Sequence, residues 1–223
     1  MKVKVGQEIA KRVKNGEILG VGTGSTVDAA LTEIHKRVTA EGLNISVVPS
    51  SYETTMRCEE IGLNVLSPMY GKNISWGFDG ADEVDPDLRL IKGRGGAMLQ
   101  EKILARKCEK FVVIVDESKL VDKLCEKCAI PVEVVPQARY LVIDALKGLG
   151  ASEISLREAV KKHGPVITEA GNFIIDVKFS KVSNSLEKEL KSILGVVETG
   201  LFIDFADEVI VSSDSEIRSL TRS

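Results

Sequence analysis

The sequence predicts an α/β protein: a Rossmann-like, mostly parallel sheet domain carrying an inserted small α+β domain. Three observations predict it. Apolar runs of strand length alternate with amphipathic helical stripes over the first 127 residues, which implies a mostly parallel sheet covered on both faces. Glycine-rich turns follow several of those strands and open helices. From Pro131 onward the order changes to βαββαβ, the ferredoxin-like unit.

Val5, Ile9 and Val13 recur at helical spacing, and Asn15-Gly16 ends that helix. Glu17 to Val21 reads as a short buried strand. Val27, Ala30, Leu31, Ile34 and Val38 mark a second helix that stops at Gly42. Ile45 to Val48 is a strand, and Ser51 to Ile61 is a helix ending at Gly62. Ile74 to Phe78 and Leu88 to Ile91 read as strands, Ala97 to Cys108 as a helix, and Phe111 to Val115 as a continuous apolar strand. Pro131 to Val135 is a strand and Ala138 to Lys147 a helix closed by Gly148 and Gly150. Glu153 to Arg157 and Phe173 to Phe179 alternate as strands, Val182 to Leu194 carries a helical stripe, and Val196-Val197 begins a strand. Glu208 to Ser212 is a further strand. The expected division is 1–127 plus 199–223 for the large domain and 128–198 for the small one.

Composition narrows the function. The chain has 223 residues, 30 Lys plus Arg against 33 Asp plus Glu, and a net charge of −3. A nucleic-acid binder would normally show a basic face or tail, and none is visible. No apolar stretch approaches the roughly 20 residues of a membrane-spanning helix. The N-terminus lacks the apolar core of a secretory signal, so a cytoplasmic location is expected. Cys125 and Cys128 form a CxxC, but no second ligand pair stands at zinc spacing. They read as ordinary free thiols.

Ligands of open parallel sheets bind at the carboxyl ends of the strands, and four clusters fall there. Gly20-Val-Gly-Thr-Gly-Ser-Thr26 follows a strand and precedes a helix, with the free N–H groups and positive dipole end that suit a phosphate. The competing reading is a plain tight turn with Ser25 or Thr26 as helix cap. A ribose-binding acid and a Walker lysine are both missing. Asp79-Gly80-Ala81-Asp82-Glu83-Val84-Asp85 puts four acids in seven residues; a solvated acidic turn and a magnesium site are the bland alternatives. Lys92-Gly93-Arg94-Gly95-Gly96 brings positive charge to a loop before a helix, and Glu101 lies one turn inside that helix. Base rate alone would make Glu101 a surface residue paired with a lysine. Asp116-Glu117-Ser118-Lys119 closes the set. Together these supply a phosphate cradle, a base, paired acids and a loop lysine. His35 and His163 lie outside every cluster. The combination suits proton transfer next to a carbonyl on a phosphorylated small molecule.

The stretches GVGTGST (20–26), DGADEVD (79–85), KGRGGAMLQEKI (92–103), DESK (116–119), IPVEVVP (130–136) and GVVETGLF (195–202) resemble ribose-5-phosphate isomerase of the A type, in that family's order and spacing. The resemblance implies an aldose–ketose isomerase of the non-oxidative pentose phosphate pathway. It would convert D-ribose 5-phosphate to D-ribulose 5-phosphate without cofactor or metal, as a homodimer or homotetramer. It implies Glu101 as the catalytic base and Lys92 as the group that stabilises the enediolate. Asp79 and Asp82 would assist ring opening and, with Gly80 and Ala81, bind sugar hydroxyls. Thr23, Gly24, Ser25 and Thr26 would hold substrate at the phosphate. Gly93, Arg94 and Gly95 would complete the lysine loop, and Lys119 would add a contact. Many bacterial members have three glycines after the loop lysine, where this chain has Gly93-Arg94-Gly95. A non-catalytic sugar-phosphate sensor, an amino-sugar phosphate deaminase and a CoA-transferase-like enzyme are the rival readings. Glu101, the missing site histidine and acyl-CoA turnover separate them in turn.

Overall fold

The structure is a computed structural model that describes residues 1–72 and 74–222; Asn73 and Ser223, both assigned to the large domain by the sequence reading, lie outside the described residues. In chain order the elements are α1 (Lys2–Arg12), β1 (Ile18–Val21), α2 (Ser25–Glu41), β2 (Ser46–Pro49), α3 (Tyr52–Glu60), β3 (Asn64–Val65), β4 (Trp76–Asp79), β5 (Glu83–Val84) and β6 (Leu90–Ile91). They continue with α4 (Met98–Lys107), β7 (Phe111–Asp116), β8 (Ile130–Val134), α5 (Arg139–Gly148), β9 (Glu153–Leu156) and β10 (Phe173–Lys178). The last are α6 (Leu186–Lys191), β11 (Val196–Thr199), β12 (Leu201–Phe202), β13 (Glu208–Ser212) and β14 (Ile217–Thr221).

The chain forms two compact units. The first comprises Met1–Ala81, Gln100–Lys119 and Asp204–Ser223. Its sheet has the order β14-β13-β7-β4-β1-β2-β3, parallel throughout except for the β13–β14 pair. Strand order reverses at β1, which pairs with β2 on one side and β4 on the other. That reversal opens a crevice past the carboxyl ends of β1 and β4, the natural ligand position in such a sheet. Ile9 and Val13 at one end of the chain and Leu31, Ile34, Phe78, Ile114 and Ile210 elsewhere share one core, which explains the helical stripes read from the sequence.

The second unit comprises Asp82–Leu99 and Leu120–Ile203. Its main sheet is antiparallel, in the order β11-β8-β10-β9, with α5 and α6 completing the βαββαβ connectivity. Ile130, Val132, Val134, Ile175 and Val177 pack against Val142, Leu146 and Leu190 of those helices. The fold class read from the sequence therefore holds, and two details differ. Leu90–Ile91, expected among the parallel strands, lies instead in a small sheet of order β12-β6-β5. That pairing groups Asp82–Leu99 with residues 199–203, and a bridge from Val84 to Leu120 adds the segment after it, so the limits of the second unit differ from 128–198. The helix expected over 182–194 shortens to α6; before it the hydroxyls of Ser183 and Ser185 bond each other and Asn184 accepts from Arg89, side-chain bonds that compete with helix formation.

One ion pair ties the two ends of the first unit together. Arg12 at the end of α1 donates two bonds to the carboxylate of Glu208 on β13, at 2.9 and 2.8 Å. Lys110 donates to the same carboxylate at 2.7 Å and Ser219 on β14 at 2.8 Å. The hydrogen-bonded Arg12 guanidinium, more than Lys110 and Ser219, holds the Glu208 carboxyl at about 2, despite the opposing effect of burial. A carboxyl depressed on folding adds stability above its ordinary value and loses it as pH falls toward the folded value. Glu208→Gln is therefore expected to lower unfolding free energy by about 2–3 kcal/mol at pH 7. The deficit should close as pH falls from about 4.5 toward 2. Denaturant titrations across that range measure it, and a deficit that stays constant with pH would remove the carboxylate from the account.

Candidate active site

The first unit gathers its site residues where β1 and β4 end. Asp79 is the last residue of β4 and is 1% exposed. Its Oδ1 accepts the backbone N–H of Thr23 at 3.1 Å and of Gly80 at 2.7 Å. The two loops are thus joined through one carboxylate. Gly22 makes this possible: a Cβ there would stand 2.0 Å from Asp79 Cγ. The Thr23 hydroxyl lies among Ser50, Ser51 and Thr54, at 2.9, 2.7 and 3.3 Å, and Thr54 in turn donates to Gly22 O at 2.8 Å. This hydroxyl cluster is not identified from the sequence, where Ser51 reads only as the start of a helix. The signal available was the Ser51-x-x-Thr54 spacing: Ser51 Oγ accepts the Thr54 N–H at 3.1 Å and caps α3.

α2 begins at Ser25 without a side-chain cap; Gly24, at φ +114°, occupies the cap position. The plain-turn reading with Ser25 or Thr26 as cap is therefore incorrect. Ser25 and Thr26 are the first two helical residues, whose N–H groups have no partner inside the helix. Lys2, which the sequence reading passed over, donates from Nζ to Ser25 Oγ at 2.7 Å. Lys119 is half-buried in the single turn Glu117–Lys119 after β7. Burial raises the Asp116 carboxyl, but bonds from Ser118 and then the charges of Lys119 and Lys2 outweigh it and leave it below its ordinary value. Two lysines thus serve the end of the sheet where α2 begins. That arrangement of N–H groups, hydroxyls and ammonium groups can hold a phosphate.

Glu101 lies in the first turn of α4 and is only 4% exposed, so the surface-residue reading fails.

The second unit holds the remaining acids and the lysine loop. The solvated-turn reading of Asp79 to Asp85 also fails, because Asp79, Glu83 and Asp85 are all buried. Glu83 accepts the backbone N–H groups of Cys125, Lys127 and Cys128, the first at 2.7 Å and the other two at 2.5 Å. This wraps the CxxC segment around a carboxylate. Burial pushes the Cys125 thiol up, opposite to the shift of a reactive thiol. Asp85 accepts from Asp87 N–H, Arg89 N–H and the Arg89 guanidinium. Asp82 Oδ2 accepts the Arg94 N–H at 3.1 Å. Neighbouring acids therefore divide into anchors (Glu83, Asp85) and a residue that faces the lysine loop (Asp82). Among the described residues no group of three or more His, Cys, Asp or Glu side chains is arranged for a metal ion.

Lys92 is 2% exposed, with Nζ 5.5 Å from the centroid of the Phe202 ring, and its backbone N–H donates to Gly200 O at 2.9 Å. Gly93 has φ +95°, and a Cβ there would meet Met98 Cβ at 2.8 Å, so this position excludes a side chain. Position 94 carries no such demand: its φ is ordinary and its side chain is exposed. An arginine is tolerated there for that reason. Its backbone bonds Asp82 while its side chain lines a cleft of 490 Å³ with Asp82, Lys127, Cys128, Arg157 and Asp176. Gly95 is likewise exposed.

The dependence of Asp79 on Gly22 is testable. Gly22→Ala forces the buried carboxylate off its N–H donors and is expected to cost about 2–4 kcal/mol of unfolding free energy. Equilibrium denaturation measures it, and wild-type stability in that variant would show that the carboxylate does not depend on the space at position 22.

The chain as a whole is similar to known proteins. The family model described as ribose 5-phosphate isomerase A (phosphoriboisomerase A) matches residues 46–216. The ribose-5-phosphate isomerase A of Pyrococcus abyssi is 43% identical over 225 residues, covering 100% of this chain and 98% of the relative. The structure of ribose 5-phosphate isomerase A from Methanocaldococcus jannaschii superposes with TM-score 0.94 at 43% identity, covering 99% of this chain and 97% of the other. A D-ribose-5-phosphate isomerase solved in complex with phospho-erythronic acid superposes with TM-score 0.93 at 41% identity, covering 100% of both chains. The chain belongs to the ribose 5-phosphate isomerase A family.

Proposed function

We propose that Glu101, Asp79, Asp82 and Lys92 carry out the family's reaction in this chain. As a family member the protein is an aldose–ketose isomerase that interconverts D-ribose 5-phosphate and D-ribulose 5-phosphate. In the proposed course, Asp79 and Asp82 assist opening of the furanose ring and expose the aldehyde. Glu101 removes the proton on C2, and electrons move to O1. Lys92 stabilises the negative charge on O1 of the enediolate; the O2 proton passes to O1, and the proton taken by Glu101 is returned to C1, which leaves C2 as the ketone carbonyl. The phosphate is assigned to Thr23, Gly24, Ser25 and Thr26, with Lys119 as a further contact. Gly80 and Ala81 meet the sugar hydroxyls, and Gly93, Arg94 and Gly95 complete the lysine loop.

The observation that carries this reading is the burial of Glu101 and Lys92, 4% and 2% exposed. A long charged side chain is rarely withdrawn from water without a specific use. Glu101 also stands in the first turn of a helix, where negative charge is favoured. The relative solved with phospho-erythronic acid supports the chemistry. That acid carries a phosphate and a planar carboxylate, matching the charge and shape of a phosphorylated enediolate. By the same resemblance, the protein is proposed to act in the cytoplasm, in the non-oxidative pentose phosphate pathway, as a homodimer or homotetramer. Among the described residues no helix is long and apolar enough to cross a membrane.

Glu101→Gln is expected to lower turnover of ribose 5-phosphate by about 10²–10⁴-fold with little change in melting temperature. Near-wild-type turnover in that variant, measured by formation of ribulose 5-phosphate, would remove Glu101 as the base. The proposed course also needs no metal. A chelator should leave turnover unchanged, and a loss restored by a divalent cation would contradict it.

A further inference from the structure

We propose that Arg157, fixed by Asp176, is a positioning residue for the loop that carries Lys92. Asp176 lies on β10 and Arg157 directly follows β9, its antiparallel partner. Arg157 Nε donates to Asp176 Oδ2 at 2.8 Å, and its Nη2 donates to Oδ1. The pair is braced by the sheet, since the Arg157 N–H donates to Ile174 O at 2.8 Å. A cross-strand ion pair needs nothing more. Yet Nη1 reaches out of the sheet and donates to two successive carbonyls of the lysine loop, Gly93 O at 2.9 Å and Arg94 O at 2.8 Å. The guanidinium is 16% exposed as a side chain, so these bonds are partly shielded from water.

The loop needs such a clamp. It carries three glycines in the four positions after Lys92, two of them at positive φ, and glycine leaves the backbone maximally free. One side of the loop is held by the Arg94 N–H on Asp82 and by the Gly96 N–H on Gly93 O. Arg157 holds the other side through the carbonyls. The planar fork spreads its donors over three nitrogens in a fixed geometry and meets both carboxylate oxygens and two carbonyls together, whereas a lysine ammonium has three rotatable donors on a single atom. With the fork in place, the two residues that follow Lys92 are held through their carbonyls as well as through the Arg94 N–H. This rests on the isomerase reading of Lys92 and adds a residue to it that does not touch substrate.

The test compares kcat, KM and melting temperature for wild type, Arg157→Ala, Arg157→Lys and Asp176→Asn. Arg157→Ala and Arg157→Lys are both expected to lose about 10–100-fold in kcat, because misplacement of a reacting group by about 1 Å costs that much. KM should change by less than about 3-fold, since phosphate binding is assigned elsewhere. Asp176→Asn keeps the shape of the side chain and guards against misfolding; it should lose less kcat than Arg157→Ala. A small guanidinium salt should restore part of the kcat of Arg157→Ala and none of that of Lys92→Ala. Wild-type kcat in Arg157→Ala overturns the proposal. So does a loss that disappears when the variant is assayed well below its melting temperature, since that marks a purely structural ion pair. Absence of isomerase activity in the wild type would instead overturn the functional reading itself.

Discussion

The first unit depends on one buried carboxylate. Asp79 accepts the N–H groups of Thr23 and Gly80, and so joins the turn after β1 to the turn after β4. A buried carboxylate is costly unless its lone pairs are filled by donors. Here the donors are the backbone of the very loops that a ligand would meet. The constraint runs outward from there. Gly22 is a glycine because the carboxylate fills the space of a side chain. Thr23 then projects its hydroxyl among Ser50, Ser51 and Thr54, so the loops after β1 and β2 are also linked. Three strand ends share one hydrogen-bonded network at the point where strand order reverses.

The second unit uses the same device with a different result. Glu83 and Asp85 are withdrawn from solvent to hold backbone N–H groups, which fixes the CxxC segment and the turn around Arg89. Asp82 is left to meet the lysine loop. A run of four acids would repel itself in a single environment. Separate sets of donors for each acid remove that cost. The loop lysine is set by glycine geometry on one side and by the Arg157 fork on the other. The proposed chemistry therefore rests on backbone hydrogen bonds to charged groups, the stronger kind.

Much of this was legible in the sequence, and the failures have physical causes. Continuous apolar runs such as Phe111 to Val115 identify themselves, as does the βαββαβ order after Pro131. The site clusters stand out because glycines and charges gather at strand ends. Strands of two residues, such as β5, β6 and β12, are too short to show alternation, and their pairing shifted the limits of the second unit. The edge strand β14 is mostly exposed, so Ile217–Thr221 carries little apolar signal. Burial of Glu101, Glu83 and Asp85 is invisible to any rule that places charge outside. Arg157 and Asp176 could not be linked to the lysine loop from the sequence, since 63 residues separate Arg157 from Arg94.

The central claim is that catalysis is a proton transfer through an enediolate, and the fate of the hydrogen on C2 tests it most directly. Ribose 5-phosphate turned over in heavy water is expected to give ribulose 5-phosphate with solvent deuterium at C1, read by nuclear magnetic resonance. A proton held by a carboxylate can exchange with solvent before it is returned. Product that carries the original C2 hydrogen at C1 with no solvent label would contradict the account, because the hydrogen would then have moved directly between carbons.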